Sequence, residues 1–156
     1  MNNTVKLRKH QLDRFRKLSR ESRLEIQAYL VGEIVNPKLT VVEEFVYPPE
    51  YGLQTRYQAA WYRRDYERVK HDAEERGRRI VGSIHSHPDM DDAVLSPEDY
   101  ESCLAEGHRI CGIVTTDGCR SRMRFWVMDC ALPADIVYYA KGKTAQARSK
   151  GARQRR

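Results

Sequence analysis

The run Ile84-His85-Ser86-His87-Pro88 carries two imidazoles at i and i+2. On extended backbone such residues point to the same side of the chain. Pro88 has no N–H and a fixed φ, so the chain is expected to leave any sheet ladder there. Both rings then sit at a strand end, where catalytic groups usually sit. Ser96-Pro97-Glu98-Asp99 follows after a loop, and Asp99 can bring a carboxylate to the rings. Two histidines and one carboxylate form a three-ligand set that leaves a fourth tetrahedral position for water, the usual arrangement of a catalytic zinc. A structural zinc is more often closed by four protein ligands, with cysteine prominent.

Other carboxylates compete for the same role. Glu98 adjoins Asp99, and Asp89, Asp91 and Asp92 lie between the histidines and Ser96. Glu25 opens an apolar run where a purely structural strand would want an apolar residue, which makes it a candidate general base. A hydrolysis needs such a base, because attack and departure each move a proton. Ser96 reads as the N-cap of a helix, with Pro97 at its first position and acids in its first turn.

The elements that position these residues follow from periodicity and punctuation. Residues 9–21 predict a helix, with Leu12, Phe15 and Leu18/Ser19 on one face. Glu25 to Val35 and Leu39 to Val46 predict strands joined through Asn36-Pro37. Gln58 to Arg76 predicts a long helix with Gly77 after its end, and Trp61, Tyr62, Tyr66 and Val69 spaced to pack on the core. Tyr47 to Tyr57 reads as a connecting loop. Ile80 to Ile84 is a central strand feeding the histidines, and Ser96 to Glu106 a short helix stopped by Gly107. Ile110 to Thr115 and Arg122 to Met128 are strands turned at Asp117-Gly118, and Ile136 to Tyr139 adds an edge strand or short helical piece. The expected fold class is α/β, a mixed sheet flanked by helices.

Length and composition narrow the classes. The 156 residues suit one domain with a real core. They are too few for an eight-stranded α/β barrel, another common home of a His-x-His metal site. Cys103, Cys111, Cys119 and Cys130 form no Cys-x-x-Cys pair, and no apolar run approaches the roughly 18 residues of a membrane span. A cytoplasmic protein with free thiols is expected. Lys141 to Arg156 holds seven Lys or Arg and no acid, so the net charge of +6 less these seven leaves the first 140 residues at −1. Residues 1–140 are thus read as the folded domain and 141–156 as a basic, disordered tail.

The ordered set Glu25-Ile26-Gln27-Ala28-Tyr29-Leu30-Val31-Gly32, Ile80-Val81-Gly82-Ser83-Ile84, His85-Ser86-His87-Pro88 and Ser96-x-x-Asp99 resembles the JAMM motif of the JAB/MPN-type zinc metalloproteases, a family with deubiquitinase-like isopeptidases and prokaryotic single-domain members. The resemblance spans roughly residues 11 to 130. It implies a JAB/MPN-like, cytidine-deaminase-like α/β sandwich and one Zn²⁺ per chain held by His85, His87 and Asp99. It implies Glu25 as general base and Ser96 as a hydroxyl donor to the oxyanion. The implied reaction is cleavage of a peptide or isopeptide bond, with a ubiquitin-like or sulfur-carrier protein as substrate. Ala28 stands where the family commonly has glycine. Ser96 and Asp99 lie one residue further from His87 than is usual in the family, and one extra residue in the loop Asp89–Leu95 accounts for it, because loops absorb insertions.

Three other classes fit parts of the chain. A catalytically silent scaffold of the same fold would bind proteins only. The basic tail could contact nucleic acid or an acidic partner in a salt-sensitive way, although it lacks the interleaved aromatics of single-strand binders. A cupin-like metal site would want an all-β barrel, against which the helical pattern speaks. His10, His71 and His108 read as solvated, and Cys111 and Trp126 as core.

Overall fold

The computed structural model describes residues 2–90, 92–116 and 121–140. Strands β1 (Thr4–Leu7), β2 (Gln27–Asn36), β3 (Leu39–Val46), β6 (Arg79–Pro88), β7 (Ile110–Thr116), β8 (Ser121–Val127), β9 (Leu132–Pro133) and β10 (Asp135–Tyr138) form one mixed sheet in the order β10-β1-β3-β2-β6-β7-β8-β9. A separate hairpin joins β4 (Tyr51–Gln54) to β5 (Ala59–Trp61). Helices α1 (Lys9–Glu21), α2 (Arg63–Glu75) and α3 (Pro97–Ala105) flank the sheet.

Alternation sorts the sheet into two faces. Ala28, Leu30, Val42, Ile84 and Phe125 face α1, where Leu12 and Phe15 are fully buried. The opposite face carries Tyr29, Val31 and Ile80 under Ala73 of α2, and Cys111 and Ile113 under Cys103 of α3. β6 and β7 pair in parallel, with Gly82 opposite Ile110. A Cβ on Gly82 would run into the Ile110 carbonyl oxygen, so only glycine fits between them. Gly77 and Gly107 end α2 and the α3 turn with φ of +71° and +73°, a region that favours glycine.

Several expectations are corrected. The helix expected over Gln58–Arg76 begins only at Arg63, because Ala59–Trp61 is the return strand of the hairpin. Trp61 therefore packs from a strand, edge-on to Tyr29 at 4.7 Å, and Tyr62 is an exposed N-cap. The supposed loop Tyr47–Tyr57 contains β4, and Tyr51 Oη bonds both backbone groups of Gln27. Glu25 stands just before β2 rather than inside it. Pro88 stays in the ladder opposite Thr116, and Asp89 makes the turn with φ of +61°. His108 is buried, not solvated. Residues 136–138 belong to an edge strand, paired parallel with β1. Asp91, the Asp117-Gly118 turn, Cys119 and the tail 141–156 lie outside the described residues.

Candidate metal centre

The centre stands at the carboxyl end of β6, which pairs antiparallel with β2 and parallel with β7. His85 lies opposite Gln27 and Ile113, and His87 opposite Thr115. The two-residue spacing puts both imidazoles on the α3 face. Ser86, out of phase between them, does something else. Its Oγ accepts from the Ile26 N–H at 2.9 Å, and its own N–H donates to the Ile26 carbonyl at 3.0 Å. That double bond pattern ties the segment entering β2 to the histidine strand.

Glu25 is fixed from the other side by the hairpin. Its N–H donates to the Thr55 carbonyl at 2.8 Å, its carbonyl accepts from Gln54 Nε2 at 3.1 Å, and the Ala59 N–H bonds its carboxylate. Asp99 arrives on α3 through a capping box: Ser96 Oγ accepts from the Asp99 N–H at 3.1 Å, and Asp99 Oδ2 accepts from the Ser96 N–H at 3.2 Å. The cap thus fixes the helix start and aims the Asp99 side chain.

These elements bring four side chains together. His85 Nε2 and His87 Nε2 are 3.0 Å apart. Asp99 Oδ1 is 3.1 Å from His85 Nε2, and Asp99 Oδ2 is 3.3 Å from His87 Nε2. Glu25 Oε1 lies 4.0 Å from His87 Nε2, and donor atoms of Glu25, His85 and His87 fall within 4.8 Å of one another. Around a tetrahedral zinc with bonds of about 2.0–2.1 Å, donors stand about 3.3–3.4 Å apart. The two imidazoles and Asp99 have the donor types and nearly that spacing, so they fit the ion. Glu98 is exposed on the rim, and Asp92 is exposed. Asp89 is engaged by Arg56 across the cleft mouth.

The charges are coupled. Burial pushes the Glu25 carboxyl from an ordinary 4.5 up to about 7, against the pull of His85 and the Ala59 N–H. Burial also opposes ionising Asp99, but hydrogen bonds from His85 and His87 hold it well below the usual carboxylate range. Burial opposes a charged His85 ring, and Asp99 and Glu25 together outweigh it and raise its pKa.

Glu25, His87 and Asp99 line the floor of an open cleft of about 810 Å³, and His85 is buried beneath them. Leu53 and Tyr57 of the hairpin make one wall, and Met90 and Val94 of the loop after β6 make the other. All four wall residues are exposed. The sequence reading missed Ser86 and the Ala59 N–H as supports. Ser86 had a signal, since a residue between two same-side histidines must point away from them. The Ala59 contact had none, because it depends on where a separate hairpin docks. Cys111, expected in the core, lies there and brings its Sγ to 4.0 Å from His85 Nδ1.

Comparison with solved structures places this architecture among known folds. A protein from Desulfitobacterium hafniense, solved in solution, is 17% identical, matches 91% of this chain and 97% of its own, and has a TM-score of 0.67. A solution structure from Salinibacter ruber is 23% identical over 88% of this chain and 93% of its own, with a TM-score of 0.58. Both are similar in fold. No curated protein matches the chain. The family model of prokaryotic homologs of the JAB domain matches residues 8–129, which run from the start of α1 past the end of β8 and include every residue of the centre. The chain therefore belongs to the prokaryotic homologs of the JAB domain.

Proposed function

We propose that the chain is a zinc-dependent hydrolase that cleaves a peptide or isopeptide bond at the C-terminus of a ubiquitin-like or sulfur-carrier protein. One observation carries the reading: two imidazoles and a carboxylate converge at 3.0–3.3 Å beside a buried glutamate, with His87, Asp99 and Glu25 opening onto the cleft. In this reading His85, His87 and Asp99 hold one Zn²⁺. Bound zinc supplies Lewis acidity, which polarises a carbonyl and makes water a better nucleophile near neutral pH.

The chain's own residues do the rest. Glu25 takes the proton of the attacking water on its carboxylate and passes it to the departing amine. A carboxyl poised near 7 suits both transfers at neutral pH. The Ala59 N–H holds the carboxylate toward the imidazoles while that happens. The Ser96 hydroxyl stands at the same end of the cleft and donates to the oxygen that gains charge. Its capping role leaves this possible, because a hydroxyl accepts and donates at once. The exposed apolar walls take the extended end of the substrate protein, and the tail 141–156 adds a salt-sensitive contact to an acidic partner or nucleic acid.

The test is cleavage of a panel of ubiquitin-like and sulfur-carrier proteins carrying C-terminal extensions, read by mass spectrometry. The reading expects one shortened product with zinc-loaded wild type and none with Glu25→Gln or after chelation. Intact substrates throughout, with a zinc-loaded enzyme, would leave a binding module of the same fold.

A further inference from the structure

A second polar cluster is buried directly behind the centre, on the same face of the sheet. Cys111 of β7 and Cys103 of α3 are 0% and 4% exposed and belong to one packed cluster. The two side chains pack in one cluster, and each thiol perturbs the ionisation of the other. Both sulfurs are free. Cys111 Sγ is 4.0 Å from His85 Nδ1, and Cys103 Sγ is 3.9 Å from the hydroxyl of Ser83, the cross-strand neighbour of Cys111. His108 lies beside the Cys103 thiol, with Nε2 3.0 Å from Glu106 Oε2. The Tyr29 hydroxyl reaches the same carboxylate at 3.3 Å. Neither ring nitrogen of His108 has an aligned hydrogen bond among the described residues. Structural thiols in a core are usually apolar and inert. Here one faces a candidate metal ligand and its partner faces an imidazole backed by a carboxylate.

We propose that Cys103 and Cys111 form an oxidation site, in which a hydroperoxide converts the two thiols to a disulfide and thereby withdraws Cys111 from His85 and weakens the metal centre. Cys103 sulfur attacks the terminal peroxide oxygen. The O–O bond breaks, and the departing alkoxide takes a proton through His108, leaving Cys103 as a sulfenic acid. Cys111 sulfur then attacks the Cys103 sulfur, the S–O bond breaks, and the hydroxide leaves with the Cys111 proton as water. Two thiols and one hydroperoxide give one disulfide, one alcohol and one water.

Geometry explains both the oxidant and the consequence. Cys103 is 4% exposed, so a bulky disulfide is kept from its sulfur and the oxidant must be small. The neighbouring Cys111 thiol, then burial acting the other way, then His108 leave the Cys103 thiol below its ordinary range, which favours attack. A disulfide holds its sulfurs at about 2.05 Å, closer than thiols in contact, so one or both must move. Cys111 leaves His85 Nδ1 when it moves. Cys103 lies four residues after Asp99 on α3, one helical turn along, so its motion is passed to that carboxylate as well. The clause about the metal centre rests on the proposed function; the disulfide itself does not.

The experiment uses the full chain with Cys119→Ser and Cys130→Ser, treated with hydrogen peroxide without metal. Intact mass should fall by two hydrogens, peptide mapping should link Cys103 to Cys111, and dithiothreitol should reverse both. The ¹⁵N signals of the His85 ring, assigned with His85→Ala, should shift on oxidation, and should stay in place when Cys111→Ser is treated likewise. Zinc affinity should fall at least tenfold on oxidation, the size of effect a lost ligand support produces. Failure of the disulfide to form, or oxidation of either cysteine only to sulfinic acid, overturns the proposal. A disulfide with unmoved His85 signals overturns the coupling. If the reduced chain binds no zinc while mass and ring signals change as described, the hydrolase reading fails and the oxidation site stands.

Discussion

Glu25→Gln separates the stability of this site from its chemistry. Glu25 is 6% exposed, and its carboxyl is pushed from an ordinary 4.5 up to about 7, chiefly by burial. Between those two pH values the folded chain holds a proton that the unfolded chain has lost. Stability therefore falls as pH rises through this window, and the loss is complete above pH 7. A shift of that size is worth about 3 kcal/mol at about 1.4 kcal/mol per pH unit. Glutamine keeps the shape and an acceptor for the Ala59 N–H but carries no charge, so it escapes the penalty. The chelated variant should match wild type near pH 4.5 and exceed it at pH 9 by about 3 kcal/mol. For a chain of this length that is roughly 6–12 °C in Tm. Urea and thermal unfolding followed by circular dichroism from pH 4.5 to 9 measure it. Adding zinc should narrow the gap, because a nearby cation favours the carboxylate. The same variant should lose at least 100-fold in kcat, the usual weight of a general base. Equal stability across the pH range, or a wild type more stable at pH 9, would refute the assignment of Glu25 as a carboxylate destabilised by burial.

Other substitutions test the supports. Ser96→Ala removes the acceptor of the Asp99 N–H and should cost about 1 kcal/mol in urea unfolding. It should also lower kcat without raising KM, since its second bond forms only in the transition state. Glu98→Gln should leave zinc affinity unchanged while Asp99→Asn lowers it by orders of magnitude in isothermal titration, because only Asp99 meets both rings. Asp99 is held below its ordinary pKa, so its stabilisation is full at neutral pH and is lost only as acid protonates the folded carboxylate; Asp99→Asn should flatten that acid limb of the unfolding curve. Gly82→Ala drives a Cβ into the Ile110 carbonyl and should destabilise the chain by about 3 kcal/mol or more.

The residues of the centre were legible because their signal is local. The His-x-His spacing fixes a shared face, and Ser-Pro followed by acids fixes a helix start, whatever surrounds them. The Arg63–Glu75 helix was half legible. Ala59-Ala60-Trp61 leads into it without a breaker, so the sequence pattern points to a start at Gln58, five residues before the observed one at Arg63. Only docking against Tyr51–Gln54 makes that piece a strand. Thr4–Leu7 left no trace, because its partners are Leu39–Val41 and Asp135–Tyr138, far away in the chain. His108 looked polar and turn-like. Its burial comes from α3 folding back over β7, with Tyr29 edge-on to the ring at 5.7 Å, and no window of the sequence holds that contact.

Zinc stoichiometry tests the central claim most directly. Wild type, His87→Ala and Asp99→Ala are purified, equilibrated with zinc, desalted and measured by elemental analysis alongside protein concentration. The account predicts one zinc per wild-type chain and none in either variant, with all three folded by circular dichroism. A folded wild type without zinc, or full zinc retained in both variants, would contradict it.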